Sequence, residues 1–412
     1  MSDSTIDRRQ FISTGLGLAA ALTPAGVRAR GANDRIGIGV IGCGSRGNYL
    51  LGETLAASGD RVDIVALADV WSVARNTMAD RVAGAEGRPR PKLFARYGDL
   101  LAMPQVDAVI IATPDFAHPG VLVDAVKAGK DAFVEKPLCA RLEDAVAALD
   151  AVTGSSRIVQ VGTQRRSSAR FQAAAEYVRS GALGPICKIE TAWNRNVPSW
   201  ARPIDDVRAE DVDWEQFQMY LERRPFDPVR LRSWQWFYQQ TTGLVGLLGS
   251  HLIDVAQWFM DDPAPTSAVA LGGRYTWKDG REISDTAEYV LEYPKGWLLT
   301  FSSRLGSGPE TDYTLFYGKT RTLDTRDWVS RPADNKRPAG AEDLTLPAAA
   351  EERSHVGNWL DCLRSRAQPN APIQAGYSHA VACCLAREAE RTGRRMRYDA
   401  AVRRIVADVE RS

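Results

Sequence analysis

From Arg35 onward the apolar positions follow two rhythms. Short β-branched runs recur at Arg35–Ile41, Val62–Leu67, Val106–Ile111 and Ala132–Val134. Between the later ones, Gly120–Ala128 and Leu142–Val152 carry helical patterning. Strands alternating with helices predict a parallel, doubly wound sheet. Ile158–Val161 reads as the strand that leaves this first domain, and Ile186–Thr191 is another strand-like run. The runs Ser267–Leu271, Thr286–Glu292, Trp297–Phe301 and Tyr313–Tyr317 fit a second, antiparallel sheet. After Gly249, apolar positions 252, 255, 256 and 259 predict a helix with one buried face. Residues 353–366 and 376–392 read as C-terminal helices. The polar, Pro-containing stretch Phe217–Arg232 reads as a loop insertion, and residues 326–350 as an irregular excursion.

The N-terminus breaks this pattern. It opens polar, with Arg8-Arg9, and runs into an apolar stretch from Phe11 to Val27. That stretch is too short and too rich in Gly and Pro for a spanning helix. It ends at Val27-Arg28-Ala29, a passable small-x-small cleavage site. The run from Asp7 to Ile12 resembles a twin-arginine export signal, and an ordinary secretion signal or a basic tail are the alternatives. The resemblance implies a protein exported folded, often with its cofactor already bound. It would be periplasmic or secreted, with no membrane attachment after signal removal.

Composition narrows the class. The chain has 412 residues, 44% hydrophobic and 25% charged, which are ordinary globular values. Lys plus Arg is 52 and Asp plus Glu is 51, a net of +1, which gives no support to a nucleic-acid or anionic-membrane partner. The six cysteines form no C-x-x-C pair, which argues against a zinc site or redox motif; free thiols are expected, with a disulfide framework as the alternative, and no metal-spaced ligand cluster occurs.

The chemistry begins at Gly42-Cys43-Gly44-Ser45-Arg46-Gly47, a G-x-G-x-x-G that follows a strand and opens a helix. Gly42 permits the tight turn, Gly44 lets the backbone approach a pyrophosphate, and Gly47 lets helix and strand pack closely. The helix N-terminus then faces the phosphates with its unpaired N–H groups. Asp69, at the end of the second strand, would accept the adenosine ribose hydroxyls. Its charge repels a 2′-phosphate, so NAD is expected over NADP. Lys136 sits just past a strand end, at the sheet edge where ligands of such folds bind. Glu135 and Pro137 on either side fix a turn there. A Lys at this place can hold a reacting hydroxyl and help move its proton.

Five ordered motifs carry a family resemblance. The Gly-rich turn, Ala112-Thr113-Pro114-Asp115-x-x-His118 and Glu135-Lys136-Pro137 are joined by Gly162-Thr163-Gln164-x-Arg166-Ser167 and Gly249-Ser250-His251-x-x-Asp254. The stretch His355-x-x-Asn358-Trp359-x-Asp361 adds to them. Together they resemble the glucose–fructose oxidoreductase / inositol dehydrogenase / MocA (Gfo/Idh/MocA) family over nearly everything from Arg35 to about Tyr398. With residues 1–33 set aside as the twin-arginine signal peptide and linker, the resemblance implies an NAD(P)-binding Rossmann domain over 34–160. An α+β substrate and oligomerisation domain with a large open, mostly antiparallel sheet would span 161–350. C-terminal helices over 351–412 would pack back on the core. Cofactor contacts are implied at Gly42, Gly44, Ser45, Arg46, Gly47 and Asp69, and at Thr113, Pro114, His118, Glu135, Lys136 and Gln164.

The implied catalytic pair is Lys136 with His251, both holding one substrate hydroxyl. For the substrate, Arg165, Arg166 and Asn194 could supply polar groups, and Trp236 and Tyr238 aromatic faces. The neighbours Trp193, Arg195 and Trp234 belong to the same segments, and packing is the alternative role for each. The implied activity is NAD(P)-dependent oxidation or reduction of a sugar, cyclitol or glycoside, in a homo-oligomer. Two alternatives stay open: redox-neutral sugar chemistry with tightly held NAD, and a non-catalytic binder. The last arises because the Asp common four residues before the His in such proteins is here Leu247.

Overall fold

The computed structural model describes residues 35–85, 88–198, 200–334, 342–347 and 354–408; the stretch read as an export signal lies outside them. Six strands open the fold: β1 (Ile36–Ile41), β2 (Val62–Ala68), β3 (Lys92–Phe94), β4 (Ala108–Ile111), β5 (Asp131–Val134) and β6 (Val159–Val161). All pair in parallel, in the order β3-β2-β1-β4-β5-β6. Helices α1 (Ser45–Ser58), α2 (Ser72–Ala83), α3 (Tyr97–Leu101), α4 (His118–Lys127) and α5 (Leu142–Thr153) alternate with them. Every residue of β1, β4 and β5 is buried, as a sheet covered on both faces requires. The strand order reverses at β1, flanked by β2 and β4, and that switch point opens a crevice at the carboxyl ends.

Among the described residues the second sheet has ten strands: β7 (Ile186–Asn196), β8 (Ser267–Gly273), β9 (Thr286–Tyr293), β10 (Trp297–Arg304), β11 (Gly306–Gly318), β12 (Arg321–Asp324), β13 (Val329–Pro332), β14 (Leu344–Thr345), β15 (Met396–Asp399) and β16 (Arg404–Ala407). Their order is β14-β13-β12-β11-β7-β10-β9-β8-β15-β16, antiparallel except between β7 and β10. Among the remaining helices, α6 (Ala169–Arg179), α7 (Trp214–Gln218), α8 (Pro228–Arg232) and α9 (Ser250–Met260) precede β8 in the chain. The last two, α10 (His355–Ser365) and α11 (Ile373–Thr392), lie between β14 and β15. Helices α6, α9 and α11 share one apolar core with the inner face of the second sheet.

Helix α10 buries Val356, Trp359 and Leu360 in the core of the first sheet. Helix α11 serves both cores: Ile373, Val381 and Cys384 face one, Ala382, Cys383 and Leu385 the other. All six cysteines are free, and only Cys187 is exposed.

Three local expectations are corrected. The C-terminal part is not all helix, because β15 and β16 extend the second sheet. The stretch 326–350 carries β13 and β14, although 335–341 and 348–350 lie outside the described residues. The stretch Phe217–Arg232 is no free loop. It belongs to a segment that docks on the first sheet's rim through a Trp71–Val212 bridge and a Ser72-to-Asp211 hydrogen bond of 3.0 Å. Phe217 packs edge-on against Phe116. Isolated aromatics anchor this segment, and they leave no period for a pattern reading to detect.

Candidate active site

The crevice at the switch point is a cleft of about 650 Å³ whose walls come from both halves of the fold. Its floor is the Gly-rich turn between β1 and α1. Gly42 has φ +94°, and a Cβ there would lie 2.6 Å from Ala112 backbone. A Cβ on Gly47 would lie 2.0 Å from the Gly42 carbonyl, whereas one on Gly44 would meet nothing within 4 Å. The turn is therefore closed on its protein side and open toward the cleft, the shape a pyrophosphate needs. Gly44, Ser45 and Arg46 line the cleft, while Gly47 shapes the turn from behind.

Asp69 also lines the cleft, at the tip of β2. Its carboxylate accepts the backbone N–H of Cys43 at 2.6 Å and of Trp71 at 2.8 Å. It thus fastens the Gly-rich turn, and each oxygen keeps lone-pair capacity for a ribose hydroxyl. Burial pushes its carboxyl above the ordinary range, opposed by those two amides.

Thr113, Pro114, His118, Glu135 and Gln164 join the same lining. His118 donates from Nδ1 to the Pro137 carbonyl at 2.8 Å; its buried Nε2 and the Thr113 hydroxyl have no hydrogen-bond partner among the described residues. Buried polar groups normally find partners, so these orphans on a cleft wall fit a cofactor that supplies them. Glu135 accepts Arg46 Nε at 2.6 Å and sits against Gly162, where a Cβ would come within 2.9 Å of its carboxylate.

Lys136 reaches across the cleft and donates from Nζ to the Leu247 carbonyl at 2.8 Å. Leu247 belongs to a π-helical turn, Val245–Gly249, that leads into α9 and hence to His251. The bond ties Lys136 to the turn just before His251. Burial lowers the Lys136 ammonium. Burial, and then the Lys136 charge, hold His251 well below its ordinary value, so its imidazole is neutral. No hydrogen bond holds either ring nitrogen of His251 among the described residues, and Trp193 lies beside the ring at 5.5 Å between centroids. His379 on α11 steadies the lysine's turn by accepting the Leu138 N–H at 3.3 Å.

Asp115 is buried in the same wall and accepts the Thr241 hydroxyl at 2.7 Å. Burial first, then the Glu135 charge, push its carboxyl up to about 8, against the opposing Thr241 bond and Lys136 charge. The folded state therefore keeps a proton that the unfolded chain releases near its ordinary value of 3.8. That contribution is present at low pH and is lost as pH rises through about 8. Asp115→Asn should flatten the fall of the thermal midpoint between roughly pH 4 and 8. Parallel declines in the two proteins would exclude this assignment.

Five predicted substrate residues lie outside the cleft lining, and each has another job. Arg165 pairs with Asp312. Arg166 donates from Nε to both oxygens of buried Asp254, at 2.9 and 3.0 Å. Asn194 bonds Thr311 and the Arg304 amide inside the second sheet. Side chains alternate along a strand, so β7 turns Trp193 and Arg195 to the cleft and Asn194 away. Trp236 is buried under the Arg281 guanidinium, and the Tyr238 hydroxyl joins a network with Ser284 and Glu390. In their place the outer wall presents Trp200, Arg202, Arg232 and Trp234. Of these the sequence pointed only to Trp234. His355 is structural: it donates from Nε2 to the Val161 carbonyl at 2.8 Å and accepts the Ser167 hydroxyl at 2.6 Å.

Residues 36–163 match an oxidoreductase family with an NAD-binding Rossmann fold, and residues 171–324 match the GFO/IDH/MocA C-terminal domain. An inositol 2-dehydrogenase of Saccharopolyspora erythraea is 31% identical over 86% of this chain and 93% of its own length. The chain belongs to the Gfo/Idh/MocA family. An inositol 2-dehydrogenase of Rubrobacter xylanophilus is 34% identical, but the match spans only 46% of that protein and 40% of this one. A glycosyl hydrolase family 109 protein of a Shewanella species is 31% identical over 34% of this Gfo/Idh/MocA chain and 36% of its own. Among solved structures, the WlbA dehydrogenase of Bordetella pertussis, in complex with NADH and UDP-GlcNAcA, shares the fold. Its TM-score is 0.67 and its identity 20%, over 89% of this chain and 99% of that one.

Proposed function

We propose that the protein is an NAD-dependent oxidoreductase that acts on a secondary hydroxyl of a sugar, cyclitol or glycoside. The observation that carries this reading is the meeting, in one cleft, of the Gly-rich turn with Lys136 and an unpartnered, neutral His251. Gly42, Gly44, Ser45, Arg46 and Gly47 would hold the pyrophosphate and Asp69 the ribose; Thr113, Pro114, His118, Glu135 and Gln164 would line the rest. When bound, NAD supplies a hydride acceptor or donor. Lys136 and His251 hold the substrate hydroxyl between them. In oxidation the neutral imidazole takes its proton while the lysine hydrogen-bonds the oxygen, and in reduction the pair returns it.

Asp69 decides the nucleotide. Asp69→Ala should weaken NAD more than NADP, since hydrogen bonds to a charged acceptor contribute about 1.5–3 kcal/mol each and the repulsion of a 2′-phosphate goes with the charge. Binding titrations that keep the full preference for NAD would place the discrimination elsewhere.

Export through the twin-arginine route, with NAD(H) loaded beforehand and retained, is part of the same proposal. So is a homo-oligomer through the open face of the second sheet, where Val269, Leu271 and Leu298 are exposed. Similarity to the family 109 glycosyl hydrolase supports a second reading, in which a retained NAD oxidises a sugar only transiently and net redox is nil. Native mass spectrometry of protein recovered from the periplasm should give a processed, oligomeric chain carrying NAD(H). Supplied with sugars and excess NAD, that preparation should raise absorbance at 340 nm. Product without net NADH selects the second reading, and bound NAD with no turnover leaves only a binder.

A further inference from the structure

Among the described residues, the part of the cleft wall contributed by the second half of the fold carries three arginines, Arg195, Arg202 and Arg232, and no Asp or Glu. Arg195 forms an ion pair with Glu310 at 3.0 Å. The other two have no carboxylate partner among the described residues, although Asp205 and Asp206 lie close in sequence. They are nevertheless built into one joint. The Arg202 backbone N–H donates to Ser233 Oγ at 3.1 Å, and Arg232 Nε donates to the Pro203 carbonyl at 3.2 Å. Each arginine is thus stitched to the residue following the other. The Arg232 guanidinium also rests 4.6 Å from the centre of the Trp71 ring, so its remaining N–H donors are held in place without being used. Beside the joint, Trp200 lines the cleft with φ +68°, a left-handed conformation that bulky residues rarely adopt.

The Arg232 guanidinium, stacked on an indole and without an acid partner, and the exposed Arg202 joined to it through the backbone form a receptor for an anion attached to a sugar ring. We propose that Arg202 and Arg232 bind an anionic substituent of the substrate, a carboxylate, sulfate or phosphate, while Trp193, Trp200 and Trp234 hold the ring. The substrate class is then an acidic sugar or glycoside. This rests on the oxidoreductase reading above and narrows it. The cofactor's own phosphates are the competing source of negative charge; their place is the Gly-rich turn on the floor of the cleft.

The test uses the purified holoprotein and tryptophan fluorescence, with glucuronate, glucose 6-sulfate, glucose 6-phosphate and glucose as probes. At least one acidic sugar should bind ten-fold or more tightly than glucose, and added salt should erode the difference. Arg202→Ala and Arg232→Gln should each remove most of that preference while NAD content stays at the wild-type level. The arm that responds identifies the anion. Glucose binding as tightly as every acidic probe overturns the proposal, as does a preference that survives both variants. Loss of NAD from the variants assigns the pair to the cofactor and also overturns it. Hydride transfer from neutral sugars with equal efficiency would leave the oxidoreductase reading standing and remove only this inference.

Discussion

Replacing Lys136 or His251 with alanine should lower turnover by about 10²–10⁴-fold, the usual contribution of a positioned acid–base group, with NAD(H) still bound. The two losses should not add, because both groups act on one proton. The alanine variants should differ in kind. Lys136→Ala also releases the Leu247 carbonyl, which accepts its Nζ at 2.8 Å, and so loosens the π-helical turn before His251. His251→Ala leaves that bond intact, so it should lower kcat with little change in thermal midpoint. Burial and the Lys136 charge keep the His251 imidazole neutral well below its ordinary range. Turnover in the oxidative direction should therefore persist into mildly acidic solution, and Lys136→Ala, by removing a repelling charge, should raise the acid limb of the pH–rate profile. The absence of an acid at Leu247 bears on the same result. Its side chain is nearly buried and its backbone serves Lys136, so the position still supports the pair without a carboxylate. Leu247→Asp should be tolerated or should change substrate choice. Turnover unaffected by His251→Ala would end the assignment of the pair.

The part-exposed edge strand β3 escapes the pattern, but the inner strands of the first sheet are legible because they are buried on both faces. That burial writes continuous β-branched runs into the chain, and each run ends at a residue with chemistry: Gly42 after β1, Asp69 after β2, Thr113 after β4, Lys136 after β5. Site residues at strand ends inherit that legibility. The outer wall does not, because its members are placed by long-range stitches. Arg232 reaches the cleft through a bond to Pro203 and a stack on Trp71, and neither partner is implied by its neighbours in sequence. Asn194 failed for a different reason: one step of register separates the cleft face of β7 from its sheet-facing side. Tyr238 and Trp236 stand close before the His251 motif, yet Glu390 on α11 and Arg281 claim them.

Arg166 gives the sharpest case, with a measurable consequence. It follows a cofactor-lining residue, Gln164, and read as a substrate ligand. Its partner is Asp254, 88 positions away on α9, with side-chain exposures of 12% and 1%. The guanidinium also stacks 5.2 Å from the centre of the Trp258 ring. Arg166→Met would strand a buried carboxylate, and removing one partner of such a pair costs about 3–5 kcal/mol. Burial holds the Asp254 carboxyl above its ordinary range even with the arginine present, and losing the arginine raises it further. A folded-state value above the unfolded one stabilises at low pH and is lost as pH rises through it. Arg166→Met should therefore lower the thermal midpoint by several degrees at pH 8 and by less at pH 5. Arg166→Met combined with Asp254→Leu should recover most of the loss, because the stranded charge is gone. KM should change little in any of these proteins. A raised KM with an unmoved thermal midpoint would instead return Arg166 to the substrate.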